Sequence, residues 1–369
     1  MTPTAVFLFI LILIVLVIVH EFGHFITAKM TKMRVDEFAF GFPPRIFSKK
    51  IGETSYSFNA IPLGGYVSIF GENGSEEDKK ESGALRHPRA FGNRPWWAQL
   101  LVLVAGVAMN MVLALVIFIG LSFGSVTVST DDPEYGSRVK EVSLMVQEVS
   151  PESPAFKAGI IPGSVITSIT NGKEKANITT TTSVVAFIEK NANNPFVINY
   201  ITPDGAKKET TVAAVYGIVK DKKALGVGLE TVGTVKTTPI EALTLGSERT
   251  YTMTVLTFDG LFQVFTSLSK GENVIDTLSG PVGIAKIVGQ TSTYGYEAVL
   301  TLVAILSINL AIFNILPLPA LDGGRMVVVL IETVLRKRIP FKYYSWVNLV
   351  GFSLLILLLV VVTINDIRA

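Results

Sequence analysis

The sequence predicts a polytopic α-helical membrane protein with about four transmembrane helices, a membrane-associated β element and an inserted external α/β domain. Three observations carry that prediction. The 369-residue chain is 49% hydrophobic and only 17% charged, where soluble chains carry about 25% charged residues. Long apolar stretches recur, each close to the roughly 20 residues that a spanning helix needs. A stretch of different character, 127–235, interrupts them with less hydrophobicity and more Pro, Gly, Ser and Thr. The net charge of +2 gives no basic signature for nucleic acid. Cysteine is absent, so a metal site must draw on His, Asp or Glu, and His20, His24 and His87 are the only histidines.

In chain order, the first span occupies 1–30, where the apolar run Ala5 to Val19 leads into His20-Glu21-Phe22-Gly23-His24. No basic residue precedes it and no small-x-small cleavage site follows it, so an uncleaved helix is expected rather than a signal peptide. Residues 31–95 form a loop with a β element, in which Thr54-Ser55-Tyr56-Ser57-Phe58 alternates like a strand and Gly64-Gly65 marks a turn or bulge. The second span, 96–125, opens on Trp96 and Trp97, as interfacial aromatics do. After the insert, 236–297 reads as an external amphipathic linker, with Thr250–Leu268 too polar to span. The third span and the Leu321-Asp322-Gly323-Gly324 motif fall in 298–335, and the fourth span in 344–364. Lys and Arg concentrate in 32–50, 86–94 and 336–342 and are scarce at both ends of the chain. By the positive-inside rule both termini and the insert face outside, and the short loops face the cytoplasm. The charged stretch 72–83 has no assigned role.

Within the insert, a short helix is expected at Pro154–Ala158 and strands at Val165–Ile169, Phe196–Tyr200, Thr210–Tyr216 and Leu225–Leu229. The stretch 149–173, VSPESPAFKAGIIPGSVITSITNGK, resembles a bacterial, circularly permuted PDZ domain. Such a domain takes an extended peptide as an added strand, so peptide termini are expected partners. The plainer alternative is a β domain that binds nothing.

His20 and His24 stand four residues apart, on one face of a helix. That spacing suits two ligands to one tetrahedral zinc ion, with Glu21 as general base toward the metal-bound water. Two core histidines beside a buried Glu are the plainer alternative, and a costly one inside a bilayer. A catalytic zinc takes a third protein ligand. Asp322 is the candidate: it follows the stretch NILPLPAL (314–321), whose prolines end or kink the third span, and precedes two glycines. Asp322 could equally cap the helix that follows it.

HEFGH together with NILPLPALDGG (314–324), IPLGGYV (61–67) and LSGPVGIAKIVG (278–289) resembles the site-2 protease family of intramembrane zinc proteases. The bacterial branch of envelope-stress signalling, that of the regulator-of-sigma-E protease, is the nearest in motif. The resemblance implies zinc ligation by His20, His24 and Asp322, catalysis by Glu21, and one Zn2+ per chain. It also implies cleavage within or next to the transmembrane segments of single-span membrane proteins, such as anti-sigma factors or signal-peptide remnants. It places the chain in a bacterial inner membrane, the site near the cytoplasmic face, with the PDZ-like domain restricting substrate entry. The family often has Gly-Pro-x-x-Asn in the second span, whereas Gly106 to Asn110 here lacks the proline. Substrate contact is expected from Gly64, Gly65 and Tyr66 in the β element, from Asn314 toward the substrate backbone or developing oxyanion, and from Asn110. Asn314 has the alternative of a helix–helix hydrogen bond. Two rival functions are a catalytically silent, membrane-anchored PDZ scaffold and a metal-ion transporter. The intact HExxH counts against the first, and the near absence of charge in the second and fourth spans against the other.

Overall fold

The structure, a computed structural model, describes residues 2–72, 87–130, 138–172, 174–178, 180–219, 222–274 and 278–368. Most of the charged stretch 72–83 therefore lies outside the described residues. The chain divides into two compact units, one of Met1–Phe118, Ser247–Gly289 and Thr301–Ala369, the other of Ile119–Gly246 and Gln290–Leu300.

The first unit is built around helices α1 (Pro3–Met30) and α2 (Trp96–Leu121). Pro3 occupies the first turn of α1, and the Thr2 hydroxyl accepts from the Ala5 amide at 3.3 Å; both are favourable helix starts. Along α1 the buried residues Ile12, Leu16, His20, His24 and Ala28 recur every four positions. Along α2 they are Ala98, Val102, Gly106, Asn110, Ala114 and Phe118, again every fourth. Rows spaced by four are the ridges that interdigitate when two helices pack. Small residues let these ridges approach closely: a Cβ on Gly23 would meet the Ala105 carbonyl oxygen at 2.3 Å. With α7 (Tyr296–Ile315) and Tyr343–Arg368 of α9 (Phe341–Arg368), α1 and α2 are the four described helices long and apolar enough to cross a membrane.

Between α1 and α2 lies the antiparallel hairpin of β1 (Val35–Ile51) and β2 (Thr54–Ile69). Only the Thr54–Phe58 part is expected from the sequence. Residues 35–40 take partners from both halves of β2: Phe38 pairs with Val67 and also with Tyr56. The folded-over hairpin thereby lays Gly65-Tyr66-Val67 against α1. A Cβ on Gly65 would come within 3.0 Å of Val17 Cγ1 and 3.3 Å of Glu21 Cγ. The hairpin turn is tied down by Glu53, which accepts from Lys29 at 2.7 Å and from Arg89 at 2.7 and 2.8 Å. These two cations hold the Glu53 carboxyl down to about 2, Arg89 contributing most.

The region expected as a third span to 335 is divided. Helix α7 ends at Ile315, residues 316–321 are non-helical, and α8 (Asp322–Leu335) follows. Pro317 and Pro319 account for the break. The expected linker is mostly helical, with α5 (Pro239–Ser269) and α6 (Pro281–Thr291). Asp366 of α9 accepts from the amides of Gly280 and Gly283 at 3.3 and 2.7 Å, closing the start of α6.

The second unit carries a six-stranded sheet of order β3-β10-β4-β5-β6-β7. Its strands are β3 (Gly124–Ser129), β4 (Lys140–Val149), β5 (Val165–Thr170), β6 (Phe196–Ile201), β7 (Lys207–Val212) and β10 (Val227–Thr237). A separate pair joins β8 (Val215–Val219) and β9 (Lys222–Ala224). The short helices α3 (Pro154–Lys157) and α4 (Thr181–Lys190) complete it. Leu144, Val146, Ile160, Ile169, Val184, Phe196 and Ile198 form its core. The strand expected over Thr210–Tyr216 is two strands separated by Ala213-Ala214, and the second span stops at Leu121, before Gly124 turns the chain into β3 at φ +88°.

Candidate metal centre

The four-residue ridge of α1 presents His20 and His24 to α2, both largely buried. Asp322 reaches them from the first turn of α8, whose N-cap is Leu321; no side chain caps this helix. The capping alternative for Asp322 is thus not what the structure has, because the carboxylate turns toward the two imidazoles. His20 Nε2 and His24 Nε2 are 3.1 Å apart, and Asp322 Oδ2 is 3.1 and 3.3 Å from them. These three atoms form the one group of ligand-type side chains among the described residues that is close enough to hold a metal ion.

The donor set fits zinc. Ligand atoms 2.0–2.1 Å from a tetrahedral ion stand about 3.3–3.4 Å from one another, close to the triangle above. Asp322 Oδ2 is buried with no hydrogen-bond partner, a costly state for a carboxylate oxygen with no cation to face. His24 Nδ1 donates to the Val102 carbonyl at 2.8 Å, which leaves the Nε2 lone pair for a metal. His20 Nδ1 lies 3.3 Å from the Asn110 amide nitrogen, while Asn110 Oδ1 is buried and unpartnered. Turning that amide over puts Oδ1 on a His20 Nδ1–H and leaves no orphan. Both imidazoles are then oriented through their far nitrogen by α2, as metal-bound histidines usually are. The Asn110 carbonyl in turn accepts from the Ser307 hydroxyl of α7 at 2.8 Å.

Backbone fit is as tight as side-chain fit. A Cβ on Gly106 would lie 2.3 Å from His24 Nε2 and 2.8 Å from His20 Cε1. A Cβ on Gly323 would lie 2.2 Å from the Leu316 carbonyl oxygen, so the broken segment can fold back on α8 only over glycine.

The donors open onto a cavity of about 270 Å³ that Glu21, Tyr66, Glu72, Ala320 and Arg325 also line. Tyr66 donates to Glu37 Oε2 at 3.0 Å, Gly65 lies against the stem of Glu21, and Gly64 lies against the Phe42 ring. Asn110 is fully buried beside His20 and is not among the residues that line the cavity. Asn314 is half-buried in the last turn of α7 and does not line the cavity. The sequence reading missed Val102, whose contribution is a backbone carbonyl. It also missed Glu72 and Arg325; a cation one turn after Asp322 was the available signal for the latter.

Comparison with known proteins agrees with this chemistry. Residues 8–358 match the family described as peptidase family M50. The chain is 30% identical to the zinc metalloprotease RasP of Oceanobacillus iheyensis, over 99% of each chain. It is 30% identical to RasP of Geobacillus kaustophilus, over 98% of this chain and 97% of that one. A Clostridium perfringens protein named as a candidate zinc metalloprotease is 35% identical over 95% of both chains. With that match and a buried His-His-Asp donor set in hand, the chain belongs to peptidase family M50, as a membrane zinc metalloprotease of the site-2 type.

Proposed function

We propose that this protein hydrolyses peptide bonds within or next to the transmembrane segment of single-span membrane proteins, with His20, His24 and Asp322 as zinc ligands and Glu21 as general base. The observation that carries the reading is the shared cavity: a HExxH pair and a third ligand converge where Glu21 also points. Zinc held by His20, His24 and Asp322 would supply an activated water and polarise the scissile carbonyl. Glu21, which lines the same cavity, would serve as the general base and return the proton to the leaving nitrogen. Asn110 and the Val102 carbonyl keep both imidazoles in the tautomer that offers Nε2. The hairpin strand holding Gly65 and Tyr66 runs along the cavity, suited to pairing with an unwound substrate backbone, and Asn314 is assigned to the substrate backbone.

His20 lies about 26 Å along α1 from Pro3 at 1.5 Å per residue, which with the Lys/Arg distribution supports a site in the cytoplasmic third of a bacterial inner membrane. The sheet domain of 124–237 is read as a PDZ-like module on the outer side that limits entry to trimmed substrates. The test uses purified protein and a single-span substrate in detergent. Glu21→Gln is expected to keep zinc and lose at least about a hundredfold in cleavage rate. Asp322→Ala is expected to lose zinc by metal analysis. Equal cleavage by Glu21→Gln and unaltered protein would end the hydrolytic reading.

A further inference from the structure

Among the described residues, Arg325 is the sole lysine or arginine lining the metal cavity. It sits one turn after Asp322 on α8, and its Nη1 lies 2.5 Å from Glu72 Oε1. Glu72 follows β2, and its other oxygen accepts from the Ile69 amide at 3.4 Å. The guanidinium also stands 6.0 Å from the centre of the Phe91 ring. Both side chains are mostly buried, 25% and 8% exposed.

Burying such a pair adds little to stability, since apolar residues of similar volume do as well or better. Its location needs another account. Arginine carries five donors in a rigid fork shaped for a carboxylate, and Glu72 engages one edge of it through Nη1. Arg325 lines a cavity that Glu21, Asp322 and Glu72 also line.

Hydrolysis adds one more anion to that cavity. The C–N bond breaks, the water oxygen joins the carbonyl carbon, and the protons pass to the leaving amine. The acyl fragment ends in a carboxylate, and the other fragment in an ammonium. A new carboxylate beside the carboxylates of Glu21, Glu72 and Asp322 needs a counter-charge.

We propose that Arg325 is the residue that receives the carboxylate terminus of the acyl fragment, with Glu72 as the partner it holds when that terminus is absent. This rests on reading the cavity as the hydrolytic site, and its test reads binding rather than turnover. Two hydrophobic peptides that differ only in ending as a carboxylate or an amide are titrated against zinc-loaded protein in detergent. The same is done with two paired variants, Glu72→Gln/Arg325→Gln and Glu72→Leu/Arg325→Met, each checked for zinc content; the apolar pair keeps the test open if the amide pair does not fold. The preference for the acid over the amide is expected to fall at least about tenfold in both variants. Comparing variant with unaltered protein cancels any acid preference arising at zinc or in the 124–237 domain. A change of less than about twofold in a zinc-loaded variant overturns the assignment. Loss of hydrolysis in the unaltered protein would instead overturn the reading of the site.

Discussion

At the scale of single residues the tightest constraint is Gly106. A methyl group there would sit inside contact distance of both imidazoles, closest to His24 Nε2 at 2.3 Å. Retreat of the α2 backbone would break the close approach of Ala105, its neighbour, to Gly23 of α1. The rings must yield, and with them the donor triangle. Gly106→Ala is therefore expected to weaken zinc binding by about 10- to 100-fold, the range found when a ligand histidine loses its orientation. Thermal stability should change little, since alanine is the better helix former. Zinc retention through graded chelator dialysis checks it, with circular dichroism as the folding control. Full retention of zinc by a folded variant would mean that the imidazoles have room the geometry denies them.

At the scale of elements, the β1–β2 hairpin is held at its turn by the carboxylate of Glu53 between Lys29 and Arg89. The Glu53 pKa is lowered from 4.5 to about 2, so the folded state prefers its charged form. That preference stabilises the fold fully above the unfolded value of 4.5 and fades as pH falls from there toward 2. The side chain is about a third exposed, and solvent screening keeps the contribution to about 1 kcal/mol or less. Glu53→Gln should lower the melting temperature by a constant gap from pH 7 to about 5, and the gap should close as pH nears 2. Melting curves across that range test this; a gap of the same size at pH 2.5 would remove Glu53 from the hairpin's acid response.

Elements also show what was readable in the chain. His20, Glu21, His24 and Asp322 were legible because their chemistry tolerates few substitutes and their flanking glycines and prolines mark a break. The α2 ridge of Ala98, Val102, Gly106, Asn110, Ala114 and Phe118 was harder to read. In a span apolar all round, polarity contrast vanishes, and the buried face shows only as a period of small residues. Residues 35–51 did not read as a strand because Pro43-Pro44 interrupts them. Arg325 pairs with Glu72, 253 positions away, and no local pattern encodes such a contact.

At the scale of the whole molecule, the sheet domain is inserted through two strands that pair with each other. Strand β3 enters it and β10 leaves it, with Gly124 opposite Thr237 and Ser125 opposite Lys236. Paired strands lie about 5 Å apart, so the chain departs and returns at nearly one point. The domain keeps its own core of Leu144, Val146, Ile169, Phe196 and Ile198, and the ligands, Glu21 and Arg325 all belong to the other unit. Excising 124–237 and joining Phe123 to Thr238 through a short Gly-Ser linker should therefore leave the donor set intact and zinc content unchanged. If the domain limits entry, the excised protein should cleave a single-span substrate with a large folded external domain at least about tenfold faster than the full chain does. A substrate already trimmed outside should be cleaved at a similar rate by both proteins. A sheet domain that serves instead to recruit substrate through a peptide terminus predicts the opposite pattern: excision would slow cleavage of the trimmed substrate and leave the untrimmed one uncut. Initial rates for the two substrates with the two proteins decide between selection by exclusion and selection by capture.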